Sequence, residues 1–346
     1  MELRRLGRTD IQVATAALGT MTFGSQTTEE DALRQLDMAV DAGLNFIDTA
    51  ESYPVPPGER WAFRTEEIIG AWLRARGGRD RLVLATKVAG PEPGRTWLRG
   101  GRNRLDAPNI AAALEASLAR LHTDRIDLYQ LHWPDRKVNR MGRRGWRPAP
   151  DEDAVPLLET IRALGEHVRA GRIRHWGLSN ETPWGLMSAV RLAEEHGLPR
   201  PVSIQNPYSL LNRSFEVGLA ECAWREQVGL VAYAPLGAGT LTGKYLDGRV
   251  PEGSRRAFDG RNSRYRTPNA DAATRRYVEA ARRHGVDPVH MSIAFVRAQP
   301  FVTCALIGAT TADQLAHALA GLDVTLPPDL LAEIETIQSE LPDPCP

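Results

Sequence analysis

Eight short apolar runs recur along the chain, separated by longer segments in which apolar and polar residues are mixed. The runs show no strict alternation of apolar and polar residues, which is typical of strands buried on both faces. They predict strands at Ala16–Leu18, Asn45–Asp48, Leu82–Lys87, Ile126–His132, Ile173–Leu178, Val202–Gln205, Leu230–Tyr233 and Thr303–Ile307.

The intervening segments repeat apolar residues at helical spacing and are flanked by capping or stop residues such as Thr28, Gly43 and Pro108. The predicted helices run from Thr28 to Gly43 and over Thr65–Arg76, Pro108–Leu121, Pro156–Ala170, Thr182–His196, Phe215–Glu226, Ala272–His284, Met291–Ala298 and Ala312–Leu322. Eight strand–helix alternations at this length predict an α/β fold, a (β/α)8 TIM barrel, forming a single domain over residues 1–346.

Two connections are too long to be simple turns between a strand and the next helix. They follow the third and fourth strands and run from Val88 to Asp106 and from Trp133 to Val155. In a TIM barrel, loops that follow strands lie on the catalytic face. We therefore expect both long loops to border the active site.

The balance of acidic and basic residues limits which kinds of molecule this protein is expected to bind. The 346 residues carry 43 basic and 43 acidic side chains, so the formal net charge is zero. This balance argues against a protein that binds nucleic acid or a membrane surface as a whole. The chain has no apolar run of transmembrane length and its start has no signal-peptide pattern. Nothing in the sequence indicates an oligomer, and nothing excludes one.

The cysteines and histidines indicate neither a disulfide framework nor a metal centre. Cys222, Cys304 and Cys345 are widely separated and form no C-x-x-C pair, which predicts a reduced, cytoplasmic protein. Apart from His132, the histidines lie on predicted helices or loops without ligand spacing, so we expect no metal site.

Lysine is rare in this chain. Lys87, Lys137 and Lys244 are the only lysines, and every other basic residue is arginine. Arginine cannot replace lysine where a compact ammonium with an adjustable pKa is needed. The three positions are therefore candidates for function, although Lys137 matches no motif and is interpreted as a surface residue.

Polar residues close several of the predicted strands. Asp48, Lys87 and His132 end three of them, and Tyr53 follows Asp48 by five residues. A neighbouring ammonium lowers the pKa of a phenol from about 10, and a carboxylate keeps that ammonium charged and in place. An imidazole can donate a hydrogen bond to an oxygen on which negative charge develops. These four residues therefore suit carbonyl reduction, with Tyr53 giving the proton.

The motifs around these residues resemble the aldo-keto reductase superfamily over essentially the whole chain. Within the family, the Tyr53–Pro57 segment and the Asn206–Arg213 run resemble the bacterial Tas-type branch first and the potassium-channel β-subunit branch next. The segments that carry the resemblance are Gly19–Gly24, Phe46–Ala50, Ala85–Lys87, Ile126–Trp133, Gly177–Asn180, Gln205–Arg213, Tyr233–Leu236, Gly239–Tyr245 and Ile307–Thr311.

The resemblance implies NADP(H) lying across the barrel mouth and a catalytic tetrad of Asp48, Tyr53, Lys87 and His132. It implies cofactor contacts from Gly19, Thr20, Met21, Asp48, Ser179, Asn180, Gln205, Tyr233, Ala234, Pro235, Leu236, Gly237, Gly239, Leu241, Lys244, Arg255, Gly308, Thr310 and Gln314. Ser179, Asn180 and Gln205 would hold the nicotinamide carboxamide, and Tyr233 would stack on the ring. The loop from Ala234 to Lys244 would wrap the pyrophosphate. Relatives that reduce carbon–carbon double bonds carry Glu at the position of His132, so His favours carbonyl substrates.

The sequence departs from the family pattern at the adenosine end of the expected cofactor. Many relatives carry Lys-Ser after the last strand and an Arg a few residues on, whereas this chain has Gly308-Ala309 and Gln314. A preference for NADP(H) over NAD(H) therefore depends mainly on Lys244, with Arg255 as the weaker candidate.

The two long loops are rich in arginine. The stretches from Pro93 to Leu105 and from Arg136 to Pro150 contain no acidic residue. One interpretation is a solvated surface, and the other is an electropositive substrate mouth that attracts anionic or polar carbonyl compounds. Trp97, Trp133 and Trp146 are candidates for the apolar walls of that mouth.

Two other classes of function stay open at this point. Channel β-subunits share the same motifs, so the chain could be a regulatory subunit that senses the nicotinamide cofactor with weak or no turnover. Barrel aldolases also place a lysine at a strand end, so Lys87 could form a Schiff base in a lyase. The presence of Asp48, Tyr53 and His132 favours the reductase, acting on a small-molecule carbonyl substrate.

Overall fold

The fold is an eight-stranded parallel barrel surrounded by helices, which confirms the predicted architecture. The computed structural model describes residues 1–139, 145–148, 150, 153–258 and 263–345. Strands β1 (Leu3–Arg5) and β2 (Gln12–Ala14) form an antiparallel hairpin. The barrel strands are β3 (Ala16–Gly19), β4 (Phe46–Asp48), β5 (Val83–Val88), β6 (Ile126–Leu131), β7 (Ile173–Ser179), β8 (Ser203–Pro207), β9 (Gly229–Tyr233) and β10 (Val302–Ile307).

The barrel strands follow each other in chain order, and β10 closes the barrel by pairing with β3. Each strand lies within two residues of its predicted position. The helices are α1 (Glu29–Asp41), α2 (Arg64–Arg76), α3 (Ala107–Leu121), α4 (Leu157–Arg169), α5 (Pro183–Glu195), α6 (Leu219–Glu226), α7 (Arg255–Phe258), α8 (Pro268–Arg283), α9 (Pro288–Ala298), α10 (Ala312–Ala320) and α11 (Pro328–Glu340).

Local sequence explains where the main helices begin. The Thr28 side chain accepts a hydrogen bond from the backbone N–H of Asp31, and the Asp106 side chain accepts one from the N–H of Asn109. Such caps satisfy backbone donors that have no partner inside the helix. The predicted Phe215–Glu226 helix is divided at Gly218, because residues Ser214–Val217 form a 3₁₀ turn before α6.

Two apolar layers hold the barrel together. One layer lies between the strands and the helices and contains outward-facing strand residues such as Leu18 and Ile47. The other fills the barrel interior and includes Phe46, Ala85 and Leu128. Burial on both faces explains why the strand sequences are almost continuously apolar.

The sequence patterns missed the hairpin, the four-residue helix α7 and α11. Strands of three residues carry too little pattern to be recognised, and α11 lies outside the strand–helix rhythm, packing against α8. The hairpin places Leu6, Ile11 and Val13 in the inner apolar layer. The hairpin therefore completes the interior core.

Within the described ranges, no helix combines the length and the apolar character needed to span a membrane.

The contact between α2 and α3 depends on a glycine. A Cβ atom at Gly70 would lie 2.0 Å from the backbone carbonyl oxygen of Arg120. Because this distance is too short for a non-bonded contact, the backbone would have to move. We expect Gly70→Ala to lower the free energy of unfolding by about 1–3 kcal/mol, as overpacking of a tight site does. Gly94→Ala is the matched control, because nothing lies within 4 Å of a Cβ there. Urea unfolding checks the prediction, and equal midpoints for the two variants would contradict it.

Candidate active site

The strand register brings three polar residues to one end of the barrel interior. Asp48 pairs with Ala85 on the neighbouring strand, and Lys87 pairs with Gln130 on the next. Phe46, Ala85 and Leu128 are interior residues, and side chains two positions apart on a strand share a face. Asp48, Lys87 and Gln130 therefore continue the interior rows towards the carboxyl ends of the strands.

Lys87 is the centre of this group, and its side chain is fully buried. Its Nζ atom lies 2.6 Å from Asp48 Oδ2, 2.8 Å from the backbone oxygen of Thr49 and 3.4 Å from the Tyr53 hydroxyl. Burial lowers the pKa of Lys87, but its interactions with Asp48 and Tyr53 together outweigh that effect, so the net pKa is raised. Lys87 is therefore an ammonium at neutral pH.

The second oxygen of Asp48 is also occupied. Gln130 Nε2 and Gln205 Nε2 donate to Asp48 Oδ1 over 3.0 and 2.8 Å. Thr20 supports the same residue, because its hydroxyl donates to the Asp48 backbone oxygen over 2.8 Å. The carboxylate is thus held in one orientation. Gln130 was missed by sequence reasoning, although it faces the interior two residues before His132.

The pKa of Tyr53 differs from the expectation. Burial raises it above the usual value of 10, Lys87 lowers it only in part, and Asp48 raises it further. The neighbouring ammonium predicts a lowered pKa for Tyr53, and this prediction is wrong for this structure because desolvation of the phenolate dominates. Tyr53 is therefore a protonated phenol at neutral pH.

His132 lies directly after β6, beside Tyr53. The two rings meet edge to face with centroids 5.5 Å apart. Ser52 Oγ lies 3.1 Å from His132 Nδ1, and Asn180 Nδ2 donates to the His132 backbone oxygen over 2.8 Å. Ser52 was also missed, since a serine next to a tyrosine carries no signal of its own. The structure thus brings all four predicted tetrad residues together.

The four residues predicted to surround the nicotinamide are linked by hydrogen bonds. Ser179 Oγ donates to the backbone oxygen of Gln205 over 2.9 Å. The Tyr233 hydroxyl donates to Asn180 Oδ1 over 2.8 Å, and Asn180 Nδ2 lies 3.2 Å from Ser179 Oγ. Asn180 has a φ of 54°, in the left-handed region that asparagine tolerates better than most residues. Gln205 also donates to Asp48, and Asn180 donates to the His132 backbone oxygen, so the group lies beside the tetrad.

The loop after β9 turns sharply. Ala234, Gly237, Ala238 and Gly239 all have positive φ angles, between 55° and 85°. Pro235 and Leu236 lie between these turns, and Leu241, in the next turn, is fully buried. Successive turns of this kind form concave backbone surfaces suited to anions.

Basic residues follow this loop. Lys244 Nζ lies 5.3 Å from the centre of the Tyr245 ring, and the Arg256 guanidinium lies 4.2 Å from the same ring. A Cβ atom at Gly239 would lie only 3.3 Å from Lys244 Nζ, so glycine leaves room for the ammonium beside the turn. Arg255 Nη2 lies 4.0 Å from Met21 Sδ. The loop and these cations together fit a phosphate-rich cofactor; Arg256 was not among the predicted contacts.

The remaining predicted contacts lie where β10 meets β3. Gly19 ends β3, and a Cβ atom at Gly308 would lie 3.4 Å from the Gly19 backbone oxygen. Gln314 Oε1 accepts hydrogen bonds from the backbone N–H and hydroxyl of Thr310, at 3.2 and 3.1 Å. Gln314 therefore holds the turn before α10.

Three arginines of the long loops pair with acids that lie outside the two acid-free stretches. Two donor nitrogens of Arg99 contact the Glu51 carboxylate, at 2.6 and 2.9 Å. Arg104 pairs with Asp135 at 3.1 Å, and Arg136 Nη1 donates to Glu181 over 3.0 Å. The acid-free stretches are therefore only partly electropositive, because tertiary contacts supply the missing acids. The predicted loop residues Arg140, Arg143 and Arg144 lie outside the described residues.

Asp135 joins the two long loops. Besides Arg104, its carboxylate accepts backbone hydrogen bonds from Leu105 and Val155, both 2.9 Å long. Glu51 likewise accepts one from Ala89 over 2.8 Å. Each carboxylate thus satisfies an arginine and a backbone donor together, and the loops are docked on the barrel.

The structure brings together two of the three tryptophans predicted to line the substrate mouth. Trp133 is buried in a small apolar cluster with Ala89 and Leu98, and Trp97 packs against that cluster. Trp133 also contacts the His132 ring, with centroids 4.8 Å apart. Trp146 does not join this cluster and is 64% exposed.

The family model described as Aldo/keto reductase family matches residues 16–339, and the chain belongs to that family. It is therefore an oxidoreductase of a family that generally uses NAD(P)H. Protein tas of Escherichia coli K12 is 50% identical over 348 residues that cover all of both chains. The uncharacterized oxidoreductase YrpG of Bacillus subtilis is 33% identical, with coverage of 97% of this chain and 96% of that protein. A probable voltage-gated potassium channel subunit beta of Oryza sativa subsp. japonica is 29% identical, with coverage of 99% and 98%.

The ion pair of Glu51 and Arg99 provides a test of loop docking. The Glu51 side chain is 1% exposed and that of Arg99 is 18% exposed, so Glu51→Gln leaves a largely buried guanidinium without its counter-charge. We expect a loss of about 2–4 kcal/mol of unfolding free energy and faster tryptic cleavage in the loop between β5 and α3. Glu59→Gln, at an exposed carboxylate, is the control. Unchanged stability and cleavage in Glu51→Gln would contradict the docking role.

Proposed function

We propose that this chain reduces aldehydes or ketones to alcohols with NADPH, using Asp48, Tyr53, Lys87 and His132. The observation that carries the proposal is the buried ammonium of Lys87 between the Asp48 carboxylate and the Tyr53 hydroxyl. A buried ion pair beside a phenol and an imidazole is an arrangement for moving a proton.

Tyr53 is the proposed proton donor. When bound, the nicotinamide cofactor supplies the hydride to the carbonyl carbon. Tyr53 keeps its proton at neutral pH and gives it to the carbonyl oxygen as negative charge develops there. The phenolate that remains lies 3.4 Å from the Lys87 ammonium, which stabilises it until solvent returns a proton. Asp48 keeps Lys87 charged and in place.

His132 is proposed to orient the substrate oxygen. We propose that the Ser52 hydroxyl donates to Nδ1 in the reactive state, in which the neutral imidazole carries its hydrogen on Nε2. That hydrogen is the donor that a developing oxyanion requires. Ser52 is thus a positioning residue that holds the His132 ring in place, and it does not by itself determine the tautomer, because a hydroxyl can donate or accept.

The cofactor preference is proposed to depend on Lys244. The turns from Ala234 to Gly239 would hold the pyrophosphate, while Lys244 and Arg255 would meet the additional phosphate of NADPH. Arg256 lies against the same tyrosine ring as Lys244 and extends this basic surface. An ammonium is a compact charge that binds phosphate well.

The cellular location is also a proposal. Cys222, Cys304 and Cys345 form no disulfide in the described structure. Thiols in this state suit the reducing cytoplasm.

Replacing the proton donor tests the reaction. We expect Tyr53→Phe to bind NADPH normally but to lose about 10²–10⁴-fold in kcat, the usual contribution of a positioned general acid. The control is Tyr129→Phe, a tyrosine buried in the outer apolar layer, away from the tetrad. Stopped-flow NADPH oxidation and fluorescence titration of the cofactor check both variants. An unchanged kcat in Tyr53→Phe would remove Tyr53 from the mechanism.

Replacing Lys244 tests the cofactor preference. We expect Lys244→Met to raise the KM for NADPH about tenfold or more, since a hydrogen bond to a charged group contributes about 1.5–3 kcal/mol. The KM for NADH should hardly change, because NADH lacks the additional phosphate. Lys137→Met, at the exposed lysine, is the control. A parallel rise in both KM values would show that Lys244 acts on a part common to the two cofactors.

One experiment separates the reductase from the alternatives. NADPH oxidation is measured against a broad panel of aldehydes and ketones, with NADH in parallel. Turnover supports the reductase, and tight NADPH binding with no turnover across the panel favours a sensing subunit like the channel relative. Borohydride trapping of substrate on Lys87 would instead favour the lyase, although the ion pair with Asp48 keeps this amine protonated and non-nucleophilic.

A further inference from the structure

We propose that Asp287, His290 and His317 form a binding site for a divalent transition-metal ion such as Zn²⁺, separate from the tetrad. Each side chain offers one ligand atom, and these atoms lie within 4.8 Å of one another. The proposal departs from the expectation of no metal site. The spacing of these residues along the sequence predicts no metal site. His317 reaches the other two residues only because α10 packs beside α9.

Two of the ligand atoms are already about as far apart as two ligands of one metal ion. His317 Nε2 lies 3.1 Å from Asp287 Oδ1. Two ligands on one tetrahedral Zn²⁺ ion are about 3.3 Å apart, given metal–ligand distances of about 2.0–2.1 Å. A metal ion would therefore take the place of the hydrogen between this imidazole and this carboxylate with little movement of either residue.

The backbone orients His290. Its Nε2 atom lies 2.8 Å from the backbone oxygen of His317, which can only accept, so Nε2 is the donor. In the neutral ring the lone pair is then on Nδ1. A hydrogen bond from one ring nitrogen to a carbonyl, with the other nitrogen left for the metal, is the usual arrangement of a metal-ligating histidine. The two histidine rings lie edge to face with centroids 5.0 Å apart.

Asp287 is held by its role as the cap of α9. Its Oδ1 atom accepts hydrogen bonds from the backbone N–H groups of Val289 and His290, at 2.8 and 3.3 Å. The position of the carboxylate is thus determined before any metal binds. The Asp287 and His317 side chains are 37% and 49% exposed, so an ion can reach them from solvent.

The ligand set indicates the class of metal. Two imidazoles and one carboxylate suit Zn²⁺, Ni²⁺ or Cu²⁺, whereas Mg²⁺ prefers oxygen ligands alone. Three protein ligands leave at least one position for water. We therefore expect the site to bind Zn²⁺ with much higher affinity than Mg²⁺.

Calorimetric titration of the full chain with Zn²⁺ tests the site. We expect one equivalent to bind with micromolar affinity, and His290→Ala and His317→Ala each to weaken it at least tenfold. Asp287→Asn should also weaken binding while keeping α9 capped, since asparagine is a good cap. The control is His284→Ala, because His284 pairs with Glu333 at 3.1 Å outside the cluster and its loss should leave the affinity unchanged.

Three results would overturn the proposal. The first is no heat from wild type at millimolar Zn²⁺, and the second is equal affinity in His290→Ala, His317→Ala and wild type. The third is equally tight binding of Mg²⁺. Far-UV circular dichroism and thermal unfolding without metal establish that each variant is folded, and Asp287→Asn gives an independent answer if either alanine variant is not.

Discussion

The buried ion pair of Lys87 and Asp48 is the constraint on which the rest of the site depends. A charged pair inside a barrel is stable only when its remaining hydrogen-bonding capacity is satisfied. Gln130, Gln205, the Thr49 carbonyl and Tyr53 satisfy it here. Orienting the pair therefore orients the phenol, and the glutamine that supports Asp48 from β8 connects the tetrad to the residues proposed to hold the cofactor.

This arrangement follows from the inward-facing positions of neighbouring strands, which change from apolar to polar at the same level of the barrel. The interior positions of β4, β5 and β6 are apolar at Phe46, Ala85 and Leu128 and become polar two residues later. Parallel strands in register bring those polar positions to the same end of the barrel. The hairpin contributes apolar side chains to the interior core, which packs below Asp48, Lys87 and Gln130 in the barrel.

The long loops are attached by the same kind of interaction on a smaller scale. Glu51, Asp135 and Glu181 each hold an arginine from a loop or its edge, and Asp135 holds backbone from both loops. These ion pairs change how the arginine-rich loops are interpreted. Part of the arginine charge docks the loops on the barrel, and Trp97 and Trp133, one from each loop, belong to an apolar cluster beside His132.

The sequence by itself determined the barrel and its strand positions, because continuous apolar runs mark strands buried on both faces. Polar residues at the strand ends indicated the four residues of the proposed tetrad. The sequence did not determine Ser52 and Gln130 as neighbours of the tetrad, the acids that pair with the loop arginines, or the approach of His317 to Asp287. It also predicted the wrong direction for the pKa of Tyr53. These features were decided by tertiary structure. Each depends on which distant side chains meet and how much water they exclude, and pairing and desolvation arise only when the strands and helices have packed.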